Sequence, residues 1–334
     1  MPNALDDLAA LVRDDGLVVG AAPAAPYVES EAAIRAGRTL GRFADMRFTM
    51  HQPERSCHPE VLLRGARTVV SALLPVWQPA PQRPAGAVGR LPRYAWGDPY
   101  ATLRAALRRV RDALRADGAR AMVLVDANHH VDRAGARAAG LTFAGKNTLA
   151  IAPGLGSFVA IGTVVTDAAL VAGPPQPVRD GCGSCTRCVD ACPTGALDEP
   201  GTLDATRCLS YWTQSRRAAP PDVAAALDDR VYGCDICQDV CPYNAGPARR
   251  GAAREPEGEA WVSLADWLAA DDASLSTRYE RLYVPDRDPR YLRRNALVAL
   301  ANGPAEHRGL AAPFADLSDA TLRGPARRAL GLDP

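Results

Sequence analysis

The sequence of 334 residues predicts an α+β fold in three parts. Residues 1–172 alternate strand-like and helical stretches, which indicates an α/β domain. Residues 173–245 hold eight of the nine cysteines, and residues 246–334 are mainly helical in pattern. A chain of this length has room for two or three domains by a prior of roughly 150 residues each.

Composition restricts the function classes. Apolar residues make up 47% of the chain and charged residues 23%, so a sizeable core can form. The formal net charge of +1 excludes a globally basic protein, and a nucleic-acid site would have to be a local patch. No apolar run approaches the ~18 residues of a membrane span, and the N-terminus lacks the pattern of a signal peptide. We therefore expect a cytoplasmic protein with no membrane association.

Three short apolar runs in the first part predict buried strands. They are Thr68–Leu74, Met122–Val125 and Val159–Val165. A helix is predicted between the first two, because Asp98 can cap it and Pro99 suits its first position. Its apolar residues fall on one face at helical spacing, and they are Leu103, Leu107, Val110 and Leu114. The order strand, helix, strand suggests a mixed or parallel sheet.

Two flexible stretches separate the parts. Gly173–Pro177 reads as a linker into the cysteine-rich segment, and a softer boundary runs over Ala245–Glu259. Beyond it, Tyr291–Ala301 predicts a helix with one apolar face. Thr321–Leu330 predicts a second, weaker helix that Pro325 should limit.

The cysteines follow the spacing of bacterial ferredoxins. Cys182, Cys185, Cys188 and Cys192 form a C-x₂-C-x₂-C-x₃-C-P run, in which three thiolates bind one [4Fe–4S] cluster and the fourth binds the other. A second run is one cysteine short, and a cysteine between the runs can complete it. The predicted ligand sets are Cys182, Cys185, Cys188 and Cys241 for one cluster, and Cys192, Cys208, Cys234 and Cys237 for the other.

Zinc is the alternative metal that these cysteines could bind, although zinc sites more often use two matched Cys-x-x-Cys pairs per ion. The prolines after Cys192 and Cys241 favour clusters. Gly183, Gly195 and Gly233 allow the tight backbone that brings amide groups toward cluster sulfurs. The ninth cysteine, Cys57, is interpreted as a plain thiol. Two adjacent clusters conduct electrons but do not by themselves specify a reaction.

The segments around the cysteines are more specific than the cysteines. Residues 181–194 read GCGSCTRCVDACPT and residues 230–244 read RVYGCDICQDVCPYN. Upstream, in order, stand HPEVLLRGARTVVSALLP (58–75), RYAWGDPYATLR (93–104), VDANHHVDRAGARAAGLTFAGKNTL (125–149) and GSFVAIGTVVTD (156–167). This ordered series resembles the epoxyqueuosine reductase family over most of the chain. Residues 292–302, LRRNALVALAN, resemble a HEAT-type repeat helix at that family's C-terminus.

The resemblance implies an activity and its cofactors. The family reduces the epoxide of epoxyqueuosine at the tRNA wobble position, using cobalamin and two [4Fe–4S] clusters. It implies a cobalamin-binding domain at 1–172, a ferredoxin-like double-cluster domain at 173–245 and a short helical HEAT-like segment contacting tRNA at 246–334. The expected partners are the epoxyqueuosine-containing anticodon loop and an unidentified electron donor, and the protein is expected to be a monomer.

Asp126 matches the family's proton donor. Its position also makes independent sense, because it follows an apolar strand where partial desolvation would raise the pKa of a carboxyl group. A strand-end aspartate that caps the following turn is the alternative.

Further positions match residues near the corrinoid in the family, and they are Arg93, Trp96, Lys146, Asn147, Ser210 and Gln214. For Trp96 the alternative is a core residue, for Lys146 and Asn147 a solvated turn, and for Ser210 and Gln214 a helix surface. Arg133 could meet tRNA or a carboxylate. Five C-terminal arginines could meet tRNA phosphates or form a solvated helix face, and they are Arg290, Arg293, Arg294, Arg327 and Arg328.

Four positions depart from the family pattern. Asn128, His129 and His130 follow the presumed acid where the family usually has small residues, and Thr163 stands where a Glu is common. A histidine here could titrate near the acid, or both could be ordinary loop residues. Two other functions therefore stay open: a corrinoid reductase of a small molecule, of the reductive dehalogenase kind, and an electron-transfer module.

Overall fold

The computed structural model describes residues 4–251 and 255–332. The strands in chain order are β1 (Val18–Pro23), β2 (Thr68–Pro75), β3 (Val88–Arg90), β4 (Ala121–Val125), β5 (Phe143–Ala144), β6 (Ala150–Ile151), β7 (Val159–Thr166) and β8 (Trp261–Ser263). The three predicted strands are therefore confirmed as β2, β4 and β7.

The helices accompany these strands and follow them. In chain order they are α1 (Ala4–Ala10), α2 (Val28–Thr39), α3 (Pro53–Ser56), α4 (Pro59–Leu62), α5 (Pro99–Ala116), α6 (Asp132–Ala138), α7 (Arg187–Asp190), α8 (Leu209–Gln214), α9 (Pro221–Ala226), α10 (Ile236–Asp239), α11 (Ala245–Gly251), α12 (Leu264–Ala269), α13 (Asp272–Arg278), α14 (Arg290–Asn302) and α15 (Ala320–Ala329). In the described ranges no helix has both the length and the apolar character needed to cross a bilayer.

The central sheet has the strand order β1-β2-β7-β4, and each neighbouring pair is antiparallel. The predicted mixed or parallel sheet is therefore wrong. Helix α5 does return the chain so that β4 runs in the same direction as β2. However, the later strand β7 lies between them and pairs antiparallel with both, which makes a split β-α-β unit.

Helix α5 has the predicted cap and the predicted buried face. The Asp98 carboxylate accepts a hydrogen bond from the backbone N–H of Ala101 at 2.8 Å. Leu103 and Leu107 are fully buried against the sheet. Opposite them on β7, a Cβ atom at Gly162 would lie 2.5 Å from the Leu107 side chain. Glycine at this position therefore lets the helix approach the strand closely.

A second hydrophobic core joins distant parts of the chain. Strand β3 lies in a Pro-rich loop, Pro79–Pro92, and pairs with β8. Leu91 of this loop packs in the same core as Trp267 and Leu297. This loop therefore packs with the C-terminal helices rather than with the sheet. The predicted domain boundaries stay predictions, and residues 1–3, 252–254 and 333–334 lie outside the described residues.

The C-terminal helices confirm the periodicity and correct one detail. Helices α14 and α15 lie at the predicted positions, but Pro325 is inside α15 instead of limiting it. A proline there loses one helical hydrogen bond. Leu322 and Ala326 pack in the same core as α14, and this burial offsets the loss.

The predicted phosphate contacts of α14 are wrong for two of its arginines. Arg294 is 3% exposed, and its guanidinium donates to the carbonyls of Trp212 at 3.0 Å and Ser215 at 2.5 Å. Arg293 is also buried and donates to the Ala270 carbonyl. These arginines were predicted to be on an outer face because the apolar pattern of the helix left them out. In the fold, the chain after α8 covers Arg294, and the connection between α12 and α13 covers Arg293.

The remaining arginines of the predicted set are nearer the surface. Arg290 is exposed and pairs with Asp288. Arg327 stands 3.8 Å from Asp316, and Arg328 is exposed. A role of these three in RNA binding stays a prediction.

We expect Arg294→Met to lower the free energy of unfolding by about 3 kcal/mol. The methionine keeps an apolar stem but leaves the carbonyls of Trp212 and Ser215 without their donor. Anaerobic denaturant unfolding followed by circular dichroism would measure this. The control Arg290→Met, at an exposed pair on the same helix, should change stability little, and equal effects of both substitutions would contradict the interpretation.

Candidate functional site

The first group of thiols surrounds Cys188. Burial raises the pKa of Cys188, and the neighbouring Cys182 and Cys241 raise it further. Burial likewise raises the pKa of Cys241, with Cys182 and Cys185 as its cysteine neighbours. These four thiols therefore lie together, although Cys241 is more than fifty residues away in sequence.

The second group surrounds Cys208. Burial raises the pKa of Cys208, with Cys192 as its cysteine neighbour. Burial raises the pKa of Cys234 to about 11, with Cys208 beside it. The pKa of Cys237 is raised by burial and then by Cys234, Cys208 and Cys188, so the two groups adjoin.

These thiols fit iron–sulfur clusters in their chemistry. They are unpaired and partly exposed, and as thiolates in a partly buried place they would repel one another unless a cationic core lay between them. The backbone N–H of Ala196 donates to Cys192 Sγ at 3.3 Å, a contact typical of cluster sulfurs. In the part of the chain that the structure describes, no three Cys, His, Asp or Glu side chains converge as they would on a single metal ion.

Arg93 holds the second cysteine loop, which is residues 234–241. Its backbone N–H donates to the Asp235 carboxylate at 2.7 Å, and its guanidinium bonds Asp239 at 2.5 Å. The guanidinium also lies 4.9 Å from the centre of the Phe158 ring. Asp235 follows Cys234 directly, and burial raises its pKa to about 6. The Arg93 side chain is thus bonded to the cysteine loop, and its predicted contact with a cofactor stays a prediction.

Trp96 is a core residue. Its ring is 5% exposed, and the indole N–H donates to the Leu91 carbonyl at 2.9 Å. The prediction that Trp96 contacts a cofactor is therefore wrong. Other residues of the second core surround Trp96. The sequence alone could not show whether this tryptophan lies in a core or in a ligand pocket.

The turn between β5 and β6 contacts both cysteine loops. Lys146 Nζ donates to the Gly183 carbonyl at 2.6 Å, and the buried Asn147 side chain lies 3.5 Å from the Cys237 carbonyl. Arg133 supports this turn by donating to the Thr148 carbonyl at 2.8 Å. The Lys146 ammonium group therefore contacts the first cysteine loop, residues 182–192, and its predicted contact with the corrinoid stays a prediction.

Ser210 and Gln214 lie on α8, directly after Cys208. Gln214 Nε2 donates to the Ser210 carbonyl at 3.1 Å and to its hydroxyl at 3.3 Å. Both residues are partly exposed. A contact of this pair with a bound group stays a prediction.

Asp126 stands at the end of β4 in a strained backbone conformation. Its φ of +51° is in the left-handed region, which costs a non-glycine residue about 1 kcal/mol. The residue is exposed, yet the surrounding protein raises the pKa of its carboxyl group by desolvation, and Arg104 acts in the opposite direction. Strain at an exposed carboxyl group is typical of a functional site.

Tyrosines that the sequence did not single out surround Asp126. Tyr100 and Tyr232 have pKa values raised by burial, and Asp126 contributes to both shifts. Tyr94 hydrogen-bonds Tyr232, and the Tyr232 hydroxyl accepts from the Tyr283 N–H at 2.8 Å. Since Tyr232 comes two residues before Cys234, Asp126 lies near the segment that leads into the second cysteine loop. No local pattern indicates this, and only the position of Tyr232 before Gly-Cys could have suggested it.

His130 is internal. It is 2% exposed and packs edge-on against Tyr27, with ring centres 5.7 Å apart. Within the described ranges, its ring nitrogens and the hydroxyls of Tyr27, Ser71 and Thr163 have no hydrogen-bond partner. Burial lowers the pKa of His130 to about 4. The hypothesis that His130 titrates beside the acid is therefore wrong, whereas His129 is exposed. Cys57 is a fully buried thiol, as interpreted.

Comparisons with known proteins agree with this arrangement. A family model described as a 4Fe-4S double cluster binding domain matches residues 181–244. The epoxyqueuosine reductase of Bacillus anthracis is 31% identical over 293 residues, which cover 85% of this chain and 76% of the relative. That of Gloeobacter violaceus is 36% identical over 291 residues, covering 83% and 89%.

Solved structures of epoxyqueuosine reductases are similar to this chain over nearly its whole length. An epoxyqueuosine reductase in complex with a tRNA-Tyr epoxyqueuosine-modified stem loop superposes with a TM-score of 0.87 at 30% identity, covering 98% of this chain and 89% of the other. A Bacillus subtilis epoxyqueuosine reductase, described with its catalytic aspartate loop swung out of the active site, has a TM-score of 0.85 at 29% identity and the same coverage.

We expect His130 to stay neutral in the folded protein down to about pH 5. Because its pKa is near 4 when folded and near 6.5 when unfolded, the stability it contributes is present above pH 6.5 and is lost as pH falls toward 4, in total about 3 kcal/mol. Ring ¹⁵N shifts of the anaerobic protein, assigned with a His130→Gln variant, would measure the titration. Protonation of His130 between pH 6 and 7 would contradict its internal position.

Proposed function

This chain belongs to the epoxyqueuosine reductase family and carries a double [4Fe–4S] binding domain, and we propose that it reduces epoxyqueuosine to queuosine at the wobble position of a tRNA. The observation that carries this proposal is the exposed Asp126 carboxyl group, whose pKa is raised and which lies near Tyr232, two residues before Cys234. The reaction needs an electron source and a proton donor, and the cysteine sets and Asp126 would supply them.

The balance of the reaction defines what the protein must supply. Conversion of an epoxide to an alkene breaks two C–O bonds and releases the oxygen as water, which consumes two electrons and two protons. Two clusters that transfer single electrons can deliver the pair in sequence. We infer that Cys182, Cys185, Cys188 and Cys241 bind one cluster. Cys192, Cys208, Cys234 and Cys237 would bind the other, and an external donor, not identified, reduces them.

Polar residues beside the second group of thiols would hold a corrinoid. When bound, cobalamin would supply a strongly reducing cobalt centre for the epoxide carbon. Ser210 and Gln214, on the helix that follows Cys208, are partly exposed and can offer hydrogen bonds to its amide groups. Tyr100 and Tyr232 would exclude water beside Asp126, since both hydroxyls are largely buried.

Asp126 would donate a proton to the departing epoxide oxygen. A general acid must be protonated at the start of the reaction. Desolvation raises the pKa of Asp126, so its carboxyl group stays protonated to higher pH. The rate should therefore fall as pH rises through this raised pKa. The family departures at His130 and Thr163 lie in the interior, so these two side chains do not reshape the surface around the acid.

We expect Asp126→Asn to lower the single-turnover rate at least a hundredfold, because an amide cannot supply the proton. The assay would use anaerobic protein with both clusters, cobalamin, a strong chemical reductant and epoxyqueuosine-containing tRNA, with the nucleosides identified by mass spectrometry. Asp117→Asn, an exposed aspartate at the end of α5, is the matched control and should react normally. Wild-type protein with both clusters and cobalamin that forms no queuosine would contradict the proposed function.

The two ligand sets predict how the loss of iron from single cysteine substitutions combines in double variants. Cys182→Ser combined with Cys241→Ser should remove one cluster and leave about four irons, because both serve the same cluster. Cys182→Ser combined with Cys192→Ser should remove both clusters. Iron analysis and electron paramagnetic resonance of the reconstituted proteins would distinguish these cases, with Cys57→Ala as a control that retains both clusters. Equal iron content in the two double variants would overturn the assignment.

A further inference from the structure

A basic groove runs along the outer edge of the central sheet. Strand β4 is the last strand of that sheet, and together with α5 it encloses an open groove of about 830 Å³. Five of the fourteen described residues that line it are arginines, and none of the fourteen is acidic. The arginines, which together define the arginine groove, are Arg104, Arg108, Arg111, Arg115 and Arg120.

The spacing of these arginines places four of them on one face of α5. Positions 104, 108, 111 and 115 are separated by four, three and four residues, which is the repeat of a helix face. At 1.5 Å per residue they extend over about 16 Å. Such a row of fixed positive charges follows a line, and a polyanion with regularly spaced charges has the complementary shape.

Two of these guanidinium groups are available for a ligand. With respect to the residues that the structure describes, Arg104 and Arg108 are exposed and make no hydrogen bond or ion pair. The other three arginines already have partners within the protein. Arg111 pairs with Asp112 at 2.8 Å, and Arg120 pairs with Asp167 at 2.7 Å. Arg115 donates a hydrogen bond to the Ala121 carbonyl. The groove therefore carries two positive charges that no described residue pairs with.

The arginine groove ends beside the proposed acid, which does not itself line it. Val125 and Ala127 both line it, and Asp126 lies between them in sequence. Arg104 is close enough to Asp126 to act on its carboxyl group. A polyanion in the groove would therefore lie beside the residue that is to reach the epoxide.

We propose that the arginine groove binds the phosphodiester backbone of the substrate tRNA, next to the nucleotide that reaches Asp126. This inference depends on the proposed function for the identity of the RNA. Guanidinium groups bind phosphates through paired hydrogen bonds, and such contacts give affinity without sequence preference. The groove takes the role that the sequence assigned to Arg293 and Arg294, whose side chains are buried.

A second copy of this chain is the competing occupant. An edge strand can pair with another edge strand, and Met122 on β4 is 36% exposed. A two-fold pairing of β4 strands would, however, bring two rows of arginines together, and their like charges oppose it. Charge complementarity therefore favours the nucleic acid.

The test is anaerobic binding of an epoxyqueuosine-containing anticodon stem-loop to the protein with its clusters, by fluorescence anisotropy at several salt concentrations. Arg108→Gln removes one available charge and should weaken binding on the order of fivefold, and the slope of log affinity against log salt should fall by about 0.8. Arg109→Gln is the matched control. Arg109 is the next residue of the same helix, outside the groove lining, and pairs with Asp15.

Single-turnover assays of the same proteins separate this inference from the proposed function. At saturating RNA the rate of Arg108→Gln should equal that of the wild type, while its half-saturating RNA concentration rises. Equal RNA affinity and equal salt slope for Arg108→Gln and Arg109→Gln would contradict RNA binding by the arginine groove, even if the wild type forms queuosine. A change of solution mass in Arg108→Gln without a change in RNA affinity would assign the surface to a second copy instead. Failure of the wild type to form queuosine contradicts the function, and the binding comparison still decides the groove.

Discussion

The attachment of two cysteine loops to the N-terminal layer is the constraint on which the site depends. Thiols in a partly buried place repel each other once ionised, so the loops need contacts that do not come from the thiols. Lys146 binds the first loop at the Gly183 carbonyl, and Asn147 reaches the second at Cys237. Arg93 holds the second loop through Asp235. The sheet thus carries the acid at the end of β4 and, through the β5–β6 turn, also positions the cysteine loops.

The C-terminal helices complete this arrangement from the other side. Arg294 and Asn295 of α14 are both buried, and they bind carbonyls on either side of the cysteine loops. Arg294 donates to the Trp212 carbonyl, and Asn295 Nδ2 donates to the Thr213 and Val231 carbonyls at 2.8 Å. Burying a guanidinium group is costly unless its donors are satisfied, and here the carbonyls at the end of α8 satisfy them. The segments that follow Cys208 and precede Cys234 are therefore fixed by one helix. This explains why Arg294 cannot serve a ligand.

The sequence could predict what depends on local chemistry. The cap at Asp98, the apolar face of α5 and the three strands follow from neighbours within a few residues. The cysteine sets follow from spacing, and the neighbours of Cys208 and Cys241 coincide with them. The sheet directions could not be predicted, because β7 enters between β2 and β4 from a later part of the chain. Trp96 and Arg294 were misjudged for the same reason: each is a plausible ligand contact in sequence, and each is buried against segments that are distant in the chain.

The two faces of α5 show how little net charge says about function. Leu103, Leu107 and their partners bury one face, and the arginines between them necessarily point outward, so a chain with net charge of +1 still carries a concentrated row of positive charge. That row also acts on chemistry. Arg104 lowers the pKa of Asp126 against the effect of desolvation. A phosphate bound beside Arg104 would offset that positive charge, and the Asp126 carboxyl group would then hold its proton to higher pH. Binding of the RNA and protonation of the acid would therefore favour each other, because any group that raises the proton affinity of Asp126 must by linkage bind more tightly when that proton is present.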